Sequence, residues 1–168
     1  MGAGKSTVGR ALAQRLGLVF EDLDERIEQN EGRTVAEIFR DSGEQAFRQA
    51  ERMALRDVLT ELSAGALRIV ALGGGAFVQK RNLALLQAAG VATVFLDAPV
   101  HELWQRCCKQ AAEQKAQRPL LASLEKFQEL HESRRKGYLS ATHIIETGGR
   151  TVEAIAEQIA NDLRLERR

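Results

Sequence analysis

Four residues near the start of the chain, Gly4-Lys5-Ser6-Thr7, restrict what it can fold into more than any other stretch. They are the back half of the pattern G-x-x-x-x-G-K-[ST], a phosphate-binding loop that is entered from a buried strand and opens a helix. A glycine-rich turn lets backbone N–H groups approach phosphate oxygens, and the helix N-terminus adds a positive partial charge. In that reading Gly2, Ala3, Gly4, Lys5, Ser6 and Thr7 cradle phosphate groups. Lys5 reaches the outer phosphates and the Ser6 hydroxyl ligates Mg²⁺. The helix that the motif demands follows: Val8, Ala11, Leu12 and Leu16 recur at helical spacing and Gly17 stops them. Half a motif is also an ordinary helix start, so the rest of the chain has to decide between the two.

At 168 residues the chain is expected to form one domain, residues 1–168. It is 44% hydrophobic and 28% charged, with a formal net charge of +1. No global field therefore draws it to nucleic acid or to an anionic membrane, and anion binding has to come from a few converging arginines. No apolar run has transmembrane length. Cys107 and Cys108, the only cysteines, are neighbours and make no disulfide framework, which fits a cytoplasmic protein.

Strands and helices alternate. Leu18–Asp22 reads as a buried parallel strand ending in Asp22-Leu23-Asp24, and carboxylates at a strand's carboxyl end lie where open α/β sheets put their ligands. One of the two can cap the next helix while the other acts on a ligand. Residues 24–62 are a helical insertion broken near Gly32 and Gly43, with a capping box at Thr34–Glu37. Arg48, Arg52 and Arg56 recur every four residues, the pattern of a solvated face, and only Arg48, beside apolar Phe47, stands out as a ligand contact. Residues 68–72 form the clearest core strand, and Gly73-Gly74-Gly75 after it would let a ligand touch backbone. A helix at 82–90, a strand at 91–97 and a helix at 101–108, with Leu103 and Trp104 inward, come next. Residues 107–122, with Arg118-Pro119-Leu120-Leu121, fit a lid. A helix at 124–138, a strand at 143–147 and a one-faced terminal helix complete an α/β chain with a mainly parallel sheet. His101, His131 and His143 have no partner pattern and read as structural.

Taken together, the loop, the paired aspartates, Phe47-Arg48, the triple glycine and Arg118-Pro119-Leu120-Leu121 resemble the shikimate kinase family, in the same order and from Met1 to about Leu163. The resemblance implies a P-loop kinase with three α/β/α layers that moves the γ-phosphate of ATP to the 3-hydroxyl of shikimate. It implies Lys5, Asp24 and Arg118 as catalytic residues, and Ser6 and Asp22 at Mg²⁺. Arg106 and Arg150 then lie at adenine, and Asp24, Arg48, Gly73, Gly74, Gly75 and Arg134 line the substrate pocket. Two departures stand out: a long lid between Arg106 and Arg118, and Arg134-Arg135-Lys136-Gly137-Tyr138 in place of the family's proline-containing run. Counting back from Tyr138 assigns Arg134 rather than Arg135 to the substrate. The expected protein is a monomer with small-molecule partners only. The alternatives are another small-metabolite kinase, acting on gluconate or a nucleotide, and a catalytically silent ligand-sensing domain of the same fold.

The third departure is the start. The motif's first glycine would precede Met1, as would the family's first strand, which lies mid-sheet between the strands matching 68–72 and 91–97. The expectation is that the natural chain begins upstream of Met1. The present one should keep four strands with a cleft where the fifth belongs, and should be poorly stable or inactive by itself.

Overall fold

The computed structural model describes residues 2–114 and 123–166. The element order is α1 (Lys5–Leu16), β1 (Val19–Asp22), α2 (Leu23–Glu31), α3 (Val35–Ser63), β2 (Arg68–Ala71), α4 (Lys80–Ala88), β3 (Val94–Asp97), α5 (Val100–Gln114), α6 (Leu124–Tyr138), β4 (His143–Glu146) and α7 (Val152–Asp162). β1 pairs in parallel with β2, Val19 opposite Arg68 through Asp22 opposite Ala71. β3 pairs in parallel with β4, Val94 opposite His143 through Asp97 opposite Glu146. The two pairs are not hydrogen-bonded to each other. The four expected strands are thus all present, in two separate two-stranded sheets.

Side chains on successive strand residues point to opposite faces, and the two faces meet different cores. Ile69 packs against the core that holds Val8, Leu12, Leu16, Phe127 and Ile155, whereas Val70 and Leu72 pack against the one that holds Ile27, Ile38, Leu55, Val58 and Leu86. Likewise Val94 and Leu96 join the first core while Phe95 stacks 5.1 Å from Tyr138 of the second. Helices therefore cover both faces, giving the three layers expected. The strands are less buried than their apolar sequences imply: Val19 is 65% exposed, and of β2 only Ala71 is buried. The reason is that, among the described residues, each strand has one hydrogen-bonded neighbour and none is enclosed on both edges.

Local chemistry sets the helix boundaries. Gly17 and Gly32 end α1 and α2 in the left-handed conformation. Thr34 and Glu37 form the reciprocal capping box at α3, with Thr34 N–H donating to Glu37 at 2.7 Å. Gly43, at φ 78° and ψ 174°, kinks α3 where a side chain would be strained. A ring of half-buried charges ties the second core to the first sheet: Arg26 and Arg68 each bind both Glu21 of β1 and Glu61 of α3. No helix among the described residues is long and apolar enough to cross a membrane.

Gly9 shows packing overriding propensity. A Cβ there would lie 2.6 Å from Cε2 of the Phe20 ring, on which the Arg10 guanidinium stacks at 4.5 Å. In a helix interior alanine is normally about 1 kcal/mol better than glycine, but overpacking a rigid ring costs about 1–3 kcal/mol. Gly9→Ala should therefore lower stability by up to about 2 kcal/mol, read as a lower urea midpoint at unchanged slope. An equal or higher midpoint would show that Phe20 has room to move.

Candidate active site

Gly4 precedes α1 at φ 76° without a side-chain cap, and a Cβ there would meet nothing within 4 Å. The turn is therefore open where an anion would approach the N–H groups of α1. Gly2 is the opposite case: its Cβ would lie 2.5 Å from the Leu103 carbonyl oxygen and 2.9 Å from Cys107 Sγ, so the loop is seated directly on α5.

Asp22 joins this loop to the next element. It is the N-cap of α2, and its Oδ1 accepts from the Asp24 N–H at 3.1 Å. Its Oδ2 accepts from the Ser6 hydroxyl at 2.8 Å. One aspartate thus caps and reaches the loop, leaving Asp24 uncommitted in the first turn of α2. Burial raises the Asp24 carboxyl above the ordinary range, neighbouring Asp22 adds to this, and Lys5 and Arg48 oppose it. Burial lowers the Lys5 ammonium, against the pull of Asp22 and Asp24.

Arg48 reaches the site from α3. Its Nη1 donates to both oxygens of Glu51, at 2.9 and 3.1 Å, and Nε and Nη2 bind Glu44 Oε1 at 3.3 and 3.2 Å. Glu51 is 1% exposed and also accepts from Asn82, which donates in addition to the Ala76 carbonyl at 3.0 Å. Gly73 lies against the Asp24 carboxylate and Gly75 against the Arg48 guanidinium. Tyr138, at the end of α6, donates to the Gly74 carbonyl. The charge of Arg134 acts on both Tyr138 and Lys5, whereas Arg135 is held by Asp97 at 2.6 Å. Of the two arginines, Arg134 is thus the one whose charge bears on the phosphate loop, while Arg135 is paired on β3.

The family model for shikimate kinase matches residues 1–164. The chain belongs to the shikimate kinase family. A shikimate kinase from Streptomyces coelicolor is 42% identical, covering 98% of this chain and 92% of the relative. Among solved structures, the shikimate kinase from Acinetobacter baumannii in complex with shikimate aligns with a TM-score of 0.81 at 33% identity, covering 98% of this chain and 88% of that one. The shikimate kinase from Aquifex aeolicus gives the same TM-score at 30% identity, with 98% and 92% covered.

Set against this family, the structure gathers Lys5, Ser6, Asp22, Asp24, Arg48, Gly73, Gly75 and Arg134 at one end of the strands. Arg106 binds Glu102 at 3.0 Å, and a Cβ at Gly148 would lie 3.3 Å from that same Glu102, so Arg106 lies beside the turn that carries Arg150. Arg150 itself donates to the Glu146 and Ala154 carbonyls, at 3.0 and 3.2 Å. Of the expected lid, residues 107–114 continue α5, with Cys107 in the core, and Arg118 lies outside the described residues. Sequence reasoning missed Glu51, Asn82 and Tyr138 as supports. Only Glu51 had a signal: an acid one turn after Arg48, on the apolar face of α3.

The burial of Asp24 has a consequence for stability. The folded chain holds its proton more tightly than the unfolded chain, so stability is lost as pH rises from the unfolded value of 3.8 through the raised folded value. At pH 7, above the unfolded value, this penalty is present. Asp24→Asn should therefore raise Tm at pH 7, by about 2–4 °C per kcal/mol recovered in a chain of this size, and the gain should vanish below the unfolded value. A Tm at pH 7 that falls on substitution would contradict this.

Proposed function

We propose that this chain catalyses transfer of the γ-phosphoryl group of ATP to the 3-hydroxyl of shikimate, giving 3-phosphoshikimate and ADP. What carries the reading, beside membership of the family, is one convergence. A half-buried carboxylate, Asp24, feels both the phosphate-loop cation Lys5 and the Arg48 guanidinium, while the charge of Arg134, on α6, acts on Lys5. Phosphoryl transfer asks a protein mainly for positioning and for positive charge around the moving group.

Each residue then has a role. The N–H groups at the start of α1 and Lys5 hold the β- and γ-phosphates. Arg48 and Arg134 take the substrate carboxylate, whose planar shape suits two parallel guanidinium hydrogen bonds. Asp24 orients the 3-hydroxyl and accepts its proton as the oxygen bonds to phosphorus and the bond to ADP breaks. The raised affinity of Asp24 for protons makes it a better base than an ordinary aspartate. Ser6 and Asp22 present adjacent hard oxygens at 2.8 Å, a donor set that fits Mg²⁺ carried on ATP. That ion, when bound, neutralises charge on the phosphates. Arg118 is assigned to close over the phosphates, Arg106 and Arg150 to flank adenine, and the Gly73–Gly75 loop to line the pocket. The same reading makes the chain a monomeric, cytoplasmic enzyme of aromatic amino-acid biosynthesis.

A coupled assay of ADP release tests the proposal, on the 168-residue chain and on a form lengthened at its amino terminus by an apolar strand and the motif's first glycine. Shikimate should support ADP release in at least one form, and gluconate and nucleoside monophosphates should not. Arg48→Ala should raise KM for shikimate roughly 10- to 100-fold, the worth of a hydrogen bond to a charged group, with little change in KM for ATP. Preference for gluconate or a nucleotide, or no acceptor-dependent release in either form, would reject shikimate as the substrate.

A further inference from the structure

Glycines following a core strand are most simply read as a place where substrate meets backbone. The geometry around Gly73 and Gly75 adds a different demand. A Cβ on Gly73 would lie 2.8 Å from Asp24 Oδ1 and 3.4 Å from Oδ2. A Cβ on Gly75 would lie 2.8 Å from Arg48 Nη2 and 2.9 Å from Nη1. Neither glycine has its φ in the left-handed region, so the backbone itself does not require glycine at either position. What requires it is space. Nor is the peptide between them free to swing aside, because the Gly74 carbonyl accepts from Tyr138, whose ring packs 5.1 Å from that of Phe95 and 6.5 Å from that of Phe77.

We infer that Gly73 and Gly75 are positioning residues: their missing side chains leave the room that the Asp24 carboxylate and the Arg48 guanidinium occupy, while Tyr138 fixes the peptide between them. The two neighbours differ in how they would respond to an added methyl. Asp24 has a short side chain on a helix turn anchored by Asp22, so its carboxylate can only rotate away from the pocket. Arg48 is long, and its far end moves more easily. Leaving its place, however, separates it from Glu51, an acid with 1% exposure that then stays buried without its cation. The methyl at position 75 is thus felt through Arg48, and substrate binding is lost along with the ion pair.

The kinetic half of this inference rests on the proposed function, and the stability half does not. Thermal unfolding and steady-state kinetics of Gly75→Ala, Arg48→Ala and the double variant separate them. Gly75→Ala should lower Tm while Arg48 is present. With Arg48 already replaced, the same alanine should leave Tm unchanged or raise it, since at an ordinary φ it narrows the unfolded ensemble. In the active form of the chain, Gly75→Ala should raise KM for shikimate about tenfold or more and shift KM for ATP less than about twofold. Gly73→Ala should act mainly on kcat, because it displaces Asp24. The inference is overturned if the alanine at 75 lowers Tm equally with and without Arg48, or if KM for shikimate stays unchanged. If Gly75→Ala does not fold, recovery of folding in the double variant supports the inference and its absence overturns it. A chain that fails to phosphorylate shikimate would contradict the proposed function while leaving the Tm comparison decisive for this one.

Discussion

The site depends on one side chain serving two elements. Asp22 accepts the Ser6 hydroxyl through one oxygen and the first-turn N–H of α2 through the other. The first bond fixes the start of α1 relative to β1. The second fixes the direction in which α2 leaves the strand, and so where Asp24 stands. Without that clasp the glycine-rich loop and the Asp24 carboxylate would be parts of two separate elements. With it they form one rigid corner at the carboxyl end of β1, where α/β sheets place their ligands.

The other side of the pocket is assembled at longer range. Arg48 comes from a helix whose kink at Gly43 and capping box at Thr34 set its direction, and its guanidinium is aimed by a buried acid that Asn82 in turn holds. Tyr138 brings α6, and with it Arg134, to the loop after β2. A buried charge is tolerated only when paired and hydrogen-bonded. The Asn82–Glu51–Arg48 chain meets that condition at the cost of tying together two helices, α3 and α4, at positions 31 residues apart. Burial costs stability at Asp24 as well, because it disfavours the charged form of the carboxylate.

The local features were legible in the sequence because their spacing carries them. The phosphate loop, the aspartate pair at a strand end, the Thr34–Glu37 box and the breaks at Gly32 and Gly43 each occupy a few consecutive residues with one physical reading. Strand lengths were less legible: 68–72 and 91–97 shorten to four residues each, because pairing and not apolar composition ends a strand. The supports of the site were not legible, since Asn82 meets Glu51 across 31 residues and Tyr138 meets Gly74 across 64. No periodicity encodes such a pairing. The requirement for glycine at 73 and 75 was visible, but its cause was not, because the sequence does not show which side chains crowd a loop.

The central claim is that these supports converge on one bound pair, a nucleotide on the α1 loop and a cyclic acid beside Asp24. It is tested most directly by a crystal structure of the chain, in its active form, with ADP and shikimate. The account predicts phosphates against the N-terminus of α1, the shikimate carboxylate on Arg48 and Arg134, and the 3-hydroxyl on Asp24. A shikimate molecule bound with its carboxylate turned away from both arginines, or with Asp24 out of reach of the 3-hydroxyl, would contradict it.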